Sequence, residues 1–169
     1  MYTLLGAGST SPIYEKIDIQ QGGRRNSIKS IADEFVEYED YIAAFTIYDV
    51  LVREVIEYFN TYRDEYFAFC IILTGCIDGL DSCFADEADD QKLLLRVLRT
   101  LFAIYRFKTD SGMDLDNDIP GLLVYNTSPE ERQIIVGWVQ DALTHMTRWN
   151  SSEPYERLLA AFEKENKRS

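Results

Sequence analysis

Between Tyr41 and Phe59, large apolar side chains recur at Tyr41, Phe45, Tyr48, Val52, Val55 and Phe59, at steps alternating between four and three residues. That spacing lines one face of an α-helix, so the segment around it must form a helix lying on a core. On another face Asp49, Arg53 and Glu57 follow at four-residue steps, where opposite charges lend weak support. Ahead of it, Ser27 opens a shorter helical pattern through Ile28, Ile31 and Phe35, with the serine placed to cap.

The next helix is expected over Asp64–Phe84, and its centre is a charge-free run, YFAFCIILTGCI, from Tyr66 to Ile77. The run is twelve residues long and flanked by Asp64, Glu65, Asp78 and Asp81. A bilayer-crossing helix needs ~20 apolar residues, so the run reads as a core helix surrounded by others and as the most buried segment. Ala68, Ile72, Gly75, Gly79 and Ser82 share one face, where small residues predict the close approach of another backbone. Cys76 and Cys83 sit on one face but ~10.5 Å apart in rise, beyond the ~7 Å a disulfide can bridge. With an odd total of three cysteines, they are expected to be reduced thiols of a cytoplasmic protein.

A fourth helix runs through DQKLLLRVLRTLFAIYRFK. Leu94, Leu98, Leu101 and Tyr105 make its predicted stripe, widened by Leu95, Phe102 and Ile104. Lys92, Arg96, Arg99 and Arg106 fall on the opposite side, as a basic stripe that is the candidate partner-binding site. The favoured reading has acidic neighbours, either the loop Asp110–Asp118 or the DEADD run at 86–90, folding back over these cations. The alternative leaves them free for an acidic partner.

After Gly112 and Pro120 break the periodicity, Ser128, Pro129 and Glu131 spell a capping box at the start of a fifth helix, whose apolar face is Ile135, Trp138, Val139 and Ala142. Tyr155, Leu158, Leu159 and Phe162 line the last helix. The expectation is an all-α fold of about six stacked antiparallel helices, an α-α superhelix or a helical bundle, over 27–169 as a single domain. The stretch 1–26 lacks a basic-then-apolar leader and is read as a mostly irregular arm.

Charge and motif content narrow the function. A formal charge of −12 argues against nucleic acid or an anionic membrane as the main partner. A single histidine, His145, excludes HExxH and paired Glu-x-x-His sites, and Cys70, Cys76, Cys83 and His145 lack the CxxC spacing of structural zinc. No P-loop is present, and no cofactor is expected. The carboxylates of DLDND in the 110–118 loop fail the EF-hand pattern. Glu34 with Glu37 and Asp78 with Asp81 form i, i+3 pairs of the kind that hold magnesium in some all-α nucleotide pyrophosphohydrolases, though here about forty residues apart; they are the weak alternative metal site.

The segment EDYIAAFTIYDVLVREVIEYF resembles the first helix of a tetratricopeptide-type hairpin. Together with LLRVLRTLFAIYRFKTDSGMDLDNDIPGLLVYNTSPEERQIIVGWVQDAL it resembles the helical region accompanying bacterial SWIM zinc-finger proteins, over roughly 36–145. The resemblance implies a helical scaffold presenting surfaces to other proteins. The SWIM motif itself needs a CxC pair, which the chain lacks, so no zinc and no catalytic residue carries over. The expected function is a non-catalytic protein–protein interaction or scaffold module that also leaves room for a homodimer. The alternatives are a magnesium-dependent nucleotide hydrolase and an acidic DNA-mimic inhibitor.

Overall fold

The structure, a computed structural model, describes residues 27–61, 66–85, 90–115, 117–147 and 150–168. The 1–26 arm lies outside them, as does most of DEADD. The described residues form seven helices and no strand: α1 (27–37), α2 (Tyr41–Thr61), α3 (Tyr66–Ala85), α4 (Gln91–Ser111), α5 (Ile119–Tyr125), α6 (Pro129–Thr144) and α7 (Glu153–Asn166). The fold is all-α, as expected. The helix beyond the expected six is α5, too short for periodicity to reveal, yet marked by Asp118 as its cap and by a proline in its first turn.

The helix ends follow local chemistry. Asp90 accepts from the backbone N–H groups of Lys92 and Leu93 to start α4, which Gly112 stops with a left-handed φ of 70°. Ser128 accepts from the Glu131 N–H while the Glu131 carboxylate takes the Ser128 N–H, completing the capping box read from the sequence.

All six stripe residues of α2 are buried. Against them α3 runs antiparallel: Tyr41 meets Cys83, Tyr48 lies on Gly79, and the Phe59 and Phe69 rings are 5.9 Å apart. α4 runs parallel to α2, with Arg96 over Phe45, Thr100 bonded to Asp49 and Phe107 5.0 Å from Phe59. These three helices close on one another, and α5, α6 and α7 pack on the far side of α4.

This placement corrects two expectations about burial. α4, touching α2, α3, α5 and α6, is the central helix, so its buried set shifts to Leu93, Val97, Leu98, Leu101 and Phe102 while Leu94 and Leu95 are only partly covered. Tyr66–Ile77 is not the most buried segment: Phe69, Ile72, Leu73, Cys76 and Ile77 face inward, but Phe67 is 82% and Ile71 66% exposed. An all-round apolar helix is fully buried only if neighbours surround it, and α2, α4 and α1 leave one flank of α3 open. The small-residue face also differs from expectation, since Gly75 and Gly79 receive the side chains of Lys29 and Tyr48 rather than a backbone.

The apolar part of α3 is also longer than the twelve-residue run on which the argument against a membrane span rests. Extended across Asp78 and Asp81, the window Phe67–Phe84 has 18 residues and a mean hydropathy of 1.6, long and apolar enough to cross a membrane. In this fold 44% of that window is instead buried among the other helices.

A basic groove between two parallel helices

Because α2 and α4 lie side by side and parallel, their outward flanks form a groove of about 440 Å³. α2 contributes Phe45, Asp49, Val52 and Arg53, and α4 contributes Arg96, Arg99, Thr100 and Ala103. Those spacings are the helical i, i+3/i+4 repeat, so each set is one stripe of its helix.

The groove's polar order is set by Asp49. Its Oδ1 accepts from Thr100 Oγ1 at 2.7 Å and its Oδ2 pairs with Arg53 Nη2 at 2.8 Å. Thr100 is buried, and this bond satisfies its hydroxyl. Arg96 holds its guanidinium 4.6 Å from the Phe45 ring centroid in a cation–π contact, and its side chain remains exposed. Arg99 is exposed and makes no ion pair among the described residues. Three guanidiniums and one carboxylate thus line the same groove.

Of the four cations expected to act together, the structure unites only Arg96 and Arg99. Lys92 stands exposed outside the groove. Arg106 pairs with Asp110 at 3.6 Å, and Asp110 also accepts from Asn150 and from the Tyr155 hydroxyl. The favoured expectation of acidic segments folding over the stripe is therefore corrected: Arg106 is paired by Asp110 four residues on in the same helix, and no described acidic segment folds back over Lys92, Arg96 or Arg99. The rest of the loop turns the other way, with Asn117 donating to Asp78 on α3 and Asp118 capping α5. Asp90 is occupied as the α4 cap, and 86–89 lie outside the described residues.

The magnesium alternative finds no geometry. Glu34, Glu37, Asp78 and Asp81 are all exposed, and no group of three or more His, Cys, Asp or Glu able to hold a metal ion exists among the described residues. Of the 110–118 carboxylates, Asp110, at the end of α4, pairs with Arg106 and Asp118 caps α5, while Asp116 lies outside the described residues. Asp33 and Asp49 are likewise tied to internal partners, Asp33 to Lys29 and Asp49 to Thr100.

A second polar cluster clamps α1. The Tyr48 hydroxyl donates to Asp33 Oδ1 at 2.6 Å, and Lys29 Nζ reaches Asp33 Oδ2 at 2.7 Å above Gly75. Burial, and then the bond to and charge of Asp33, push the Tyr48 phenol far above its ordinary range. Burial likewise raises the adjacent Cys76 thiol to about 12, although the Lys29 charge pulls it back. Both groups stay protonated at neutral pH, so the cluster offers no nucleophile.

The sequence marked Arg96 and Arg99 as a basic face but missed Phe45, Asp49, Arg53 and Thr100 as their companions. Asp49–Arg53 was legible as a four-residue step; the Asp49–Thr100 bond joins residues 51 apart and had no local signal. Comparison of the chain with protein-family models, curated proteins and solved structures finds no match.

Proposed function

We propose that this protein is a non-catalytic helical interaction module and that the α2/α4 groove receives an acidic segment of a protein partner. The observation that carries the reading is Arg99. In a chain with 29 Asp and Glu, its guanidinium has no carboxylate partner among the described residues, beside an Arg96 already oriented on Phe45. An arginine held over an aromatic ring loses less freedom on binding a carboxylate than a free lysine would, and Val52 and Ala103 add apolar contact. The resemblance to tetratricopeptide-type and SWIM-associated helical regions supports a scaffold role, and three free thiols suit a reducing, cytoplasmic setting.

The test is Arg96→Gln with Arg99→Gln in the full chain, read by crosslinking to partners in the native cell and by thermal melting. Both side chains are exposed, so the melting temperature should stay within about 4 °C, allowing ~1 kcal/mol for the lost cation–π contact. The crosslinked partner should disappear. Undiminished crosslinking would move the interaction off this groove.

A further inference from the structure

We propose that Asp49 limits how much negative charge the groove accepts, acting as an internal competitor for Arg53 so that the site selects a segment with two neighbouring carboxylates over an extended polyanion. This rests on the reading of the groove as an acidic-segment site and adds to it the residue that sets its specificity.

Two contacts hold the Asp49 carboxylate in place. Rotating it away would break both its bond to the buried Thr100 hydroxyl and its ion pair with Arg53. It stays 24% exposed, with one oxygen on Arg53 Nη2 and the other on Thr100. Arg53 is thereby neutralised, and only Arg96 and Arg99 remain open to incoming charge. These two are three residues apart on α4, a rise of ~4.5 Å, which matches acidic residues three or four apart on a partner helix. A third carboxylate or a row of phosphates advancing toward Arg53 meets Asp49 at close range, and that like-charge approach is the repulsive element of the specificity. The floor of Phe45, Val52 and Ala103 adds a place for an apolar side chain beside the acidic pair.

The experiment measures fluorescence anisotropy of a fluorescein-labelled hexaglutamate peptide with four full-length proteins: wild type, Asp49→Asn, Asp49→Asn/Arg53→Gln and Arg96→Gln/Arg99→Gln. Asparagine keeps an oxygen for Thr100, and Arg53 is largely exposed, so all four should fold, which far-UV circular dichroism checks. Freeing Arg53 should tighten binding about three- to tenfold at low ionic strength and steepen its salt dependence, the size expected for one added close charge near a surface. Removing Arg53 in the same background should reverse the gain. Equal affinity of wild type and Asp49→Asn, with Arg96→Gln/Arg99→Gln weakened, overturns the role of Asp49 and leaves the groove reading standing. If neither wild type nor Asp49→Asn binds, or if Arg96→Gln/Arg99→Gln binds as wild type does, the groove reading falls and this inference falls with it.

Discussion

Replacing Gly79 by alanine tests how α2 and α3 are joined. A Cβ at position 79 lands on the Cζ and hydroxyl of Tyr48, with Cε2 at 2.6 Å, closer than any real Cβ contact. Tyr48 is fully buried, and its hydroxyl is held by Asp33 at 2.6 Å, so the ring cannot swing aside without loosening that bond. A hydrogen bond to a charged group contributes ~1.5–3 kcal/mol, and overpacking a core costs ~1–3 kcal/mol. Alanine returns ~1 kcal/mol of helix propensity, for a net loss of about 2–4 kcal/mol. At ~2–4 °C per kcal/mol for a chain of this size, the melting temperature should fall by about 5–12 °C. Two other glycines calibrate the measurement. Gly137 has nothing within 4 Å of its Cβ position, so Gly137→Ala should stabilise by ~0.5–1 kcal/mol. Gly75 meets only the flexible end of Lys29, which can move at the cost of a part-exposed ion pair worth ~0–1 kcal/mol, so Gly75→Ala should come out near neutral. Urea melts of the three variants should rank Gly79→Ala lowest and Gly137→Ala highest. A Gly79→Ala stability equal to that of Gly137→Ala would show that Tyr48 does not lie on α3 as described, and the clamp built from Lys29, Asp33 and Tyr48 would have to be redrawn.

Ser128→Ala deletes the side-chain acceptor of the capping box and should cost ~1 kcal/mol, whereas Ser128→Asp should retain stability; a null effect of alanine in a urea melt would mean that the Glu131 carboxylate alone holds the helix start. Cys76 should resist alkylation in the native protein at pH 8 and react only in urea, while the part-exposed Cys70 reacts first. An unfolded thiol loses its proton near its ordinary 9.0, and folded Cys76 keeps its proton to about 12. The stabilising effect of the protonated form is therefore complete below pH 9 and lost as pH rises from 9 to 12. Tyr105, raised by burial from 10.0 to about 12, adds to the same alkaline loss, which urea melts at pH 7, 9 and 10.5 would register as falling stability.

What the sequence determined alone was local. Alternating steps of four and three residues placed the α2 stripe, and its six residues, Tyr41, Phe45, Tyr48, Val52, Val55 and Phe59, are buried as the period requires. Ser128, Pro129 and Glu131 wrote the start of α6, because a capping box is an exchange of hydrogen bonds within four residues. α5 escaped, since seven residues hold fewer than two turns of periodic signal. Tertiary structure decided everything that depends on which neighbour a face meets. The apolar period of α3 states that its residues can be buried but not that α2, α4 and α1 cover only part of its circumference, which leaves Phe67 and Ile71 outside. The basic face of α4 was visible as charge, but its division was only partly so. Arg106 pairs with Asp110 four residues on within α4 itself, a local step, whereas Arg96 is laid on Phe45 because α2 lies parallel beside α4, and Arg99 is left without an ion pair among the described residues. Asp49 shows the physical reason most directly: four residues from Arg53 it is a routine helical ion pair, and only the arrival of Thr100 from 51 residues away fixes its carboxylate as part of a groove. A period read along one helix carries the direction of a side chain, whereas the identity of what it touches is a property of helices brought together across the chain.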